Sequence, residues 1–255
     1  MPRLNFIELG RGRNVERIPI LYEDRAVLAI DKPAGWMLVP STWQRTARNL
    51  QAAIESSING GDFWARSRNL KFLRYVHRLD AETSGILLFA KSRGALDACA
   101  KLFETRAMEK IYLAVVEGVP KQNEWKCQIA LAPDPRRIGS MKVDAREGKP
   151  AETAFRVLQT RAAGPKSFTL IEARPVTGRT HQIRIHLAQA GVPIVGDELY
   201  GREGESLGLR SVYLAYTDPF QRRRVEITAP RETFLHQFGF ATFSQAPETA
   251  KPGGE

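Results

Sequence analysis

Short runs of branched and aromatic residues alternate with turn-forming residues along most of the chain, a pattern typical of strands separated by turns. We predict strands at residues 70–76, 86–90, 125–131, 138–143, 151–159 and 168–173, turns at 132–135 and 162–165, and helices at 46–58, 92–106 and 180–190. Strands in succession with few helices indicate an α+β fold with a largely antiparallel sheet.

A polar turn separates two of the predicted strands. Residues 77–85 read HRLDAETSG and place Asp80 between the runs at 70–76 and 86–90. Polar groups held by rigid strands are common catalytic positions. Ordinary turns also favour Asp, Thr, Ser and Gly, so this segment alone leaves both interpretations open.

A second segment, GRTHQIRIHL at residues 178–187, opens the last predicted helix. Thr180 is a suitable N-cap, and Gly191 is a suitable C-terminal stop. The spacing of apolar positions predicts one buried stripe on this helix. Its members are Ile183, Leu187 and Ala190.

Arg184 lies beside that stripe, on a neighbouring row with His181 and Ala188. A guanidinium in this place requires a carboxylate partner, because an unpaired buried charge is costly. The alternative is an arginine whose stem packs on the protein while its charged head reaches solvent.

Taken together, the two segments resemble motifs of the RluA-type pseudouridine synthases. HRLDAETSG resembles the catalytic-aspartate motif of that family, and GRTHQIRIHL resembles its arginine motif. Three further stretches agree, at residues 27–36, 109–118 and 191–201, and the matches keep the family order from about residue 20 to about residue 235. The stretch at 212–220 departs from the family pattern, because it has no His where many relatives have Leu-His-Ala.

The resemblance implies an α+β fold with a long mixed, mostly antiparallel sheet flanked by helices, in two lobes around a central active-site cleft. It also implies a catalytic domain at residues 19–240 without the S4-type RNA-binding domain that precedes it in many relatives. We expect residues 1–18 to form a loose arm and residues 241–255 to form a disordered tail.

By the same resemblance, Asp80 is the catalytic carboxylate and Arg184 is its partner. Tyr112 would stack on the uracil or act as a base. Arg78 would fill the gap left by a flipped base, or only contact phosphate. Further RNA contacts are expected from Thr83, Arg179, His77 and His181. The alternative for the two histidines is a structural role in hydrogen bonding. The reaction is an isomerisation, so we expect no cofactor, and the histidine spacing predicts no metal.

Composition agrees with an RNA partner. The formal net charge is +10 and the sequence pI is near 9.9, which favours polyanions, although such charge also serves solubility. The arginine clusters at 136–137 and 222–224 can contact phosphates or simply face solvent.

Two cysteines without C-x-x-C spacing indicate a reducing compartment. No apolar run is long enough for a membrane span, and no secretory signal is present. We therefore expect a cytoplasmic monomer.

Two other functions are compatible with parts of the sequence. One is a catalytically silent RNA-binding or folding factor on the same domain. The other is a hydrolase with Asp80 and Glu82 as paired carboxylates. The set of Asp80, Tyr112 and Arg184 favours the uridine isomerase over both, since a binding module does not need these three residues.

Overall fold

The computed structural model describes residues 5–10, 15–38 and 48–242. In these ranges the strands are β1 Phe6–Leu9, β2 Glu16–Glu23, β3 Val27–Lys32, β4 Arg74–Tyr75, β5 Ser84–Ala90, β6 Glu109–Glu117, β7 Glu124–Pro133, β8 Met141–Val143, β9 Lys149–Ala163, β10 Lys166–Pro175, β11 Leu209–Thr217 and β12 Arg224–Thr228. The helices are α1 Leu50–Asn59, α2 Phe63–Arg66, α3 Arg93–Glu104, α4 Gln182–Gln189 and α5 Glu232–Gln237.

The strands form one long sheet in the order β1-β2-β3-β5-β11-β6-β10-β9-β7-β8, with β12 paired to β11 and β4 paired to β5. The pair β5–β11 is parallel, and the other named strand pairs of the described residues are antiparallel. The predicted α+β fold with a mixed, mostly antiparallel sheet is therefore confirmed. No helix in the described residues is long and apolar enough to cross a membrane.

Strand β5 lies near the middle of this sheet, directly after the polar turn. Its residues 86–90 are fully buried, which explains why the sequence shows a continuous apolar run instead of an alternating one. Leu87 and Phe89 pack into one hydrophobic cluster. Ile86 and Leu88 point the other way and pack into a second cluster. A strand buried on both faces gives the turn before it a rigid support.

Gly85 permits the parallel contact between β5 and β11. It pairs with Ser211, has a φ of +108°, and a Cβ atom there would collide with the Ser211 carbonyl oxygen. Only glycine adopts this backbone conformation without strain and leaves room for so close a neighbour. The last residue of the HRLDAETSG motif is thus required by strand pairing.

The predicted strand at 70–76 is wrong except for Arg74–Tyr75, which form β4. The side chain of Gln51 in α1 takes the place of a neighbouring strand. Its amide nitrogen donates to the Leu73 carbonyl at 2.9 Å, and its amide oxygen accepts the Tyr75 N–H at 3.3 Å. Arg74 and Tyr75 pair with β5, and Gln51 binds the backbone of Leu73 and Tyr75 in place of a second strand. The local pattern does not contain that information.

Several predicted boundaries also shift. Helix α1 begins at Leu50, because the Asn49 side chain accepts the Ala52 N–H and caps it; positions 46 and 47 lie outside the described residues. Helix α2 was not predicted. Strand β8 covers only Met141–Val143 of the predicted 138–143, and β9 runs four residues beyond the predicted end at 159. Strand β7 runs two residues into the turn predicted at 132–135, and helix α3 and strand β10 confirm their predictions.

The expected loose arm at 1–18 is corrected where the structure describes it. Strand β1 pairs with β2 at the edge of the sheet, and Ile7, Leu9 and Ile18 are buried in the main hydrophobic cluster. The alternation of apolar and polar residues in FIEL is that of a strand with one buried face. Residues 1–4 and 11–14, and residues 243–255 of the expected tail, lie outside the described residues.

Gly85→Ala tests the close contact of β5 with β11. We expect a loss of at least about 2 kcal/mol in the free energy of unfolding, since the added Cβ is overpacked and the backbone is strained. Urea denaturation measures this loss. The matched control is Gly94→Ala in α3, where a Cβ meets open space and should be neutral or slightly stabilising. Equal stability of both variants would contradict the packing argument.

Candidate active site

A cleft of about 570 Å³ is lined by the segment that leads into the polar turn, the end of α3, the start of β6 and the loop before α4. The structure brings together in its wall all eight site residues that the sequence predicts. They are His77, Arg78, Asp80, Thr83, Tyr112, Arg179, His181 and Arg184. Glu82 is exposed and is not part of the lining, so the structure does not support an Asp80–Glu82 pair.

The turn that carries Asp80 is fixed by backbone hydrogen bonds. The Thr83 N–H donates to the Asp80 carbonyl at 3.2 Å, and the Gly35 N–H donates to the Ala81 carbonyl at 2.9 Å. The second bond joins the turn to the loop after β3. The Asp80 side chain keeps 24% of its surface exposed, so a rigid backbone presents a carboxylate that a substrate can reach.

Lys32, the last residue of β3, supports this turn from inside the protein. Its side chain is fully buried, and Nζ donates to three backbone carbonyls, those of Pro33, Ala81 and Thr83, at 2.8–3.0 Å. Burial lowers the pKa of Lys32 to about 8, although the nearby carboxylates of Glu82 and Asp80 oppose the shift. Sequence reasoning missed this role; the signal was a lysine at the end of an apolar strand in the K-P-x-G motif.

Arg184 joins two carboxylates. Its Nε and Nη2 donate to the two oxygens of Asp197 at 2.8 and 2.7 Å, and its Nη1 lies 3.3 Å from Oδ2 of Asp80. Burial opposes the charged form, but the hydrogen bonds with Asp197 and the charge of Asp80 raise the pKa of Arg184 above its ordinary value. The predicted contact with Asp80 is present, yet the closest partner of the guanidinium is Asp197.

Asp197 is the second residue that the sequence analysis missed. It is fully buried, and its Oδ1 also accepts the N–H groups of Leu199 and Tyr200 at 3.0 and 3.1 Å. Such a carboxylate cannot rotate, so it fixes the plane of the Arg184 guanidinium. A buried arginine requires a carboxylate partner, which indicated that such a residue exists. The spacing of residues in the sequence did not indicate which carboxylate it is.

Helix α4 begins differently from the prediction. It starts at Gln182, and His181 stands at the N-cap in a left-handed conformation with a φ of +54°, so the predicted Thr180 cap is wrong. The Gln182 side chain holds the preceding loop instead, since its oxygen accepts the Thr177 hydroxyl at 2.6 Å and the Arg179 N–H at 3.0 Å. This arrangement turns the loop so that His181 faces the cleft.

The rest of α4 agrees with the prediction except at its end. Ile183 and Leu187 are buried as expected, and Gly191 stops the helix with a φ of +78°. Ala190 is exposed, because it caps the helix beyond the last buried turn.

Tyr112 lies in β6 with only 8% of its surface exposed. Burial and the charge of Asp80 raise its pKa to about 12, and a hydrogen bond with Ser211 opposes this shift. The phenol therefore keeps its proton at neutral pH. A protonated, buried ring suits stacking on a base better than it suits removal of a proton.

Positive charge surrounds the mouth of the cleft. Arg78 and Arg179 are exposed, and the Arg179 Nε donates to the Pro150 carbonyl at 3.1 Å. Lys110 is half-buried, donates to the Thr177 carbonyl at 3.3 Å, and has a pKa lowered to about 8 by burial. Such a rim attracts the phosphates of a nucleic acid.

Two of the histidines have structural surroundings. The His77 ring stacks on Phe103 with centroids 5.0 Å apart, and its Nε2 accepts the Leu88 N–H at 3.2 Å; burial lowers its pKa to about 3. His186 is fully buried and is not part of the cleft lining, and burial lowers its pKa to about 4. Both imidazoles are neutral at neutral pH.

The arginine clusters lie away from the cleft lining. Arg137 donates to the carbonyls of Leu199 and Glu198 at 2.8 and 3.2 Å. Arg223 donates to the Tyr22 hydroxyl at 3.0 Å. All five arginines are exposed, which agrees with clusters that face solvent, and a contact with phosphates stays a prediction.

Comparison with known proteins places this chain in a family. The family model for RNA pseudouridylate synthases matches residues 26–189. The ribosomal large subunit pseudouridine synthase C of Vibrio cholerae is 35% identical over 231 residues, which cover 86% of this chain and 67% of that protein. The dual-specificity RNA pseudouridine synthase RluA of Vibrio parahaemolyticus is 35% identical over 208 residues, covering 78% of each chain.

Among solved structures, human RNA pseudouridylate synthase domain containing 1 superposes with a TM-score of 0.67, at 26% identity over 84% of both chains. The chain therefore belongs to the RNA pseudouridylate synthase family, and the resemblance drawn from the sequence motifs is confirmed. It is an isomerase that converts uridine to pseudouridine.

Lys32→Met tests the support of the Asp80 turn. Three buried carbonyls lose their donor, so we expect the free energy of unfolding to fall by roughly 2–4 kcal/mol, and the kcat of the folded enzyme to fall with it. Chemical denaturation and single-turnover kinetics measure the two effects. Lys71→Met, which removes an exposed lysine, is the control. If the two variants behave alike, Lys32 does not hold the turn.

Proposed function

We propose that this protein converts particular uridines of structured ribosomal or transfer RNA to pseudouridine, with Asp80 as the nucleophile. The observation that carries the proposal is the contact of Asp80 with Arg184 in a cleft that also contains Tyr112. The relatives support the substrate class, since one is named for the ribosomal large subunit and another for dual specificity.

The target nucleotide first leaves its stack and enters the cleft, which costs a few kcal/mol. Arg78 is exposed at the mouth of the cleft, two residues before Asp80. We assign Arg78 to the space vacated by the flipped base. Arg179 at the rim, Thr83 in the cleft wall and His181 are assigned to contacts with the RNA, and for His77 the ring stacking and hydrogen bond favour the structural role.

The chemistry then requires a carboxylate that forms a transient bond to the nucleotide. The Arg184 guanidinium lies 3.3 Å from the Asp80 carboxylate, and Asp80 lines the cleft. The N1–C1′ bond breaks, the base turns, and C5 bonds to C1′; C5 loses a proton and N1 gains one. Atoms and electrons balance, so no redox partner is consumed.

Tyr112 stacks against the uracil during this rotation. Its ring is held in β6, and its pKa of about 12 keeps the hydroxyl protonated. A flat ring limits the base to turning in its own plane without fixing one orientation. The enzyme is proposed to act as a monomer in the cytoplasm, where reducing conditions suit the two free cysteines, Cys99 and Cys127.

Release of tritium from RNA that carries 5-³H-uridine tests this function. The wild-type protein should release label to water from a ribosomal or transfer RNA transcript. Asp80→Asn should lower the rate by more than about 1,000-fold, the scale expected when a covalent nucleophile is lost. The control Asp97→Asn changes an exposed carboxylate of α3 and should keep the full rate.

The products separate the alternatives. Free uracil would indicate a hydrolase. Binding of RNA without release of label from any RNA pool would indicate a silent binding factor, and either result would overturn the proposal.

A further inference from the structure

A chain of polar contacts connects the β7–β8 hairpin with the catalytic carboxylate. The Met141 N–H donates to the Tyr200 hydroxyl oxygen at 2.8 Å. The same oxygen lies 2.8 Å from Nδ1 of His181, and Nε2 of His181 lies 3.8 Å from Oδ1 of Asp80. Tyr200 is not part of the cleft lining, so it acts on the reaction through residues that it contacts, and its hydroxyl contacts His181.

The hydrogen-bond partners of Tyr200 favour one direction for its proton. Its oxygen already accepts from Met141, and no other acceptor for its O–H than Nδ1 of His181 is found in the described part of the chain. A phenol that donates to Nδ1 requires a neutral imidazole with its proton on Nε2. Burial raises the pKa of Tyr200, which keeps the donor protonated.

We propose that Tyr200 is a positioning residue of the active site, which holds His181 in the tautomer whose Nε2–H points at Oδ1 of Asp80. The proposal rests on the proposed function in one respect, the role of Asp80. Arg184 faces the other carboxylate oxygen at 3.3 Å, so each oxygen of Asp80 has an N–H donor on its side. The two donors come from the same helix start and lie on opposite sides of the carboxylate.

The distance between Nε2 of His181 and Oδ1 of Asp80 affects how the carboxylate can react. At 3.8 Å the Nε2–H does not form a full hydrogen bond with Oδ1, so this oxygen is oriented without being blocked. The opposite tautomer would direct a nitrogen lone pair at the carboxylate and repel it. One hydroxyl group therefore decides whether His181 attracts or repels the nucleophile.

The position of the Tyr200 ring is itself fixed. The Arg184 guanidinium carbon lies 5.4 Å from the ring centre, the His181 ring meets it edge-on at 5.6 Å, and the Tyr200 N–H is bound by Asp197. The Tyr200 backbone is thus held by the same carboxylate that holds Arg184. Removing only the hydroxyl leaves these ring contacts in place.

His181 stays neutral in these surroundings. Burial lowers its pKa, and the charges of Arg184 and Arg78 act in the same direction, against Asp80 and Asp197. The titratable and charged groups that face it from the turn, from α4 and from the loop after α4 are Arg78, Asp80, Arg184, Asp197 and Tyr200. In a neutral imidazole the choice of tautomer matters.

A double-mutant cycle tests the proposal. Tyr200→Phe should lower kcat for tritium release about tenfold, the value of one hydrogen bond, with little change in KM. His181→Gln retains an amide N–H near the place of Nε2–H and does not need Tyr200 to orient a proton. In that background Tyr200→Phe should change kcat less than about twofold. Tyr22→Phe, which removes a phenol that binds Asp24, is the control and should leave kcat unchanged.

A structural role alone for Tyr200 predicts the same loss of kcat in both backgrounds, and that result would overturn the proposal. Imidazole ¹⁵N NMR gives a readout that does not depend on activity. The proton of His181 should be on Nε2 in the wild type, and a mixture of tautomers should appear in Tyr200→Phe. A proton on Nδ1 in the wild type would refute the proposal even if the enzyme is active. An inactive wild type with the Nε2 proton would instead refute only the proposed function.

Discussion

The site depends on one buried cation, Arg184, between a fully buried carboxylate, Asp197, and a partly exposed one, Asp80. Burying the Arg184 charge is costly unless it is paired and hydrogen-bonded on all sides. Asp197 meets this requirement with two short bonds and is itself held by backbone N–H groups. The remaining nitrogen is then directed at Asp80, which is the more exposed partner. A closed pair thus orients a cation toward an open carboxylate that a substrate can reach.

The backbone beneath Asp80 is fixed by a different kind of contact. Within residues 5–10, 15–38 and 48–242, Lys32 has no carboxylate partner at hydrogen-bond distance and binds the carbonyls around the turn. Gly85 lets β5 and β11 meet directly after this turn. One buried cation therefore fixes the backbone of the turn, and the other fixes its side chain. Lys32 and Arg184 both belong to sequence motifs of the family, but the motif sequences do not show which cation holds the backbone and which holds the side chain.

Local patterns were sufficient for β5 and for most of α4, but they did not reveal β1. The apolar run of β5 and the stripe of α4 predicted their burial, and the ordered motifs predicted that Asp80, Tyr112 and Arg184 would meet. Contacts between distant segments were not predictable in this way. The bond of Gln51 that replaces a strand at residues 70–76, the choice of Asp197 and the contact of Tyr200 with His181 all depend on the folded chain.

The central claim is that Asp197 acts on the reaction by holding Arg184 against Asp80. The most direct measurement is kcat for tritium release by Asp197→Asn, compared with Glu198→Gln at the exposed neighbouring position. We predict that Asp197→Asn lowers kcat by at least about tenfold in folded protein, because the guanidinium loses its charged anchor, whereas Glu198→Gln has no effect. A folded Asp197→Asn variant with the wild-type kcat would contradict the account.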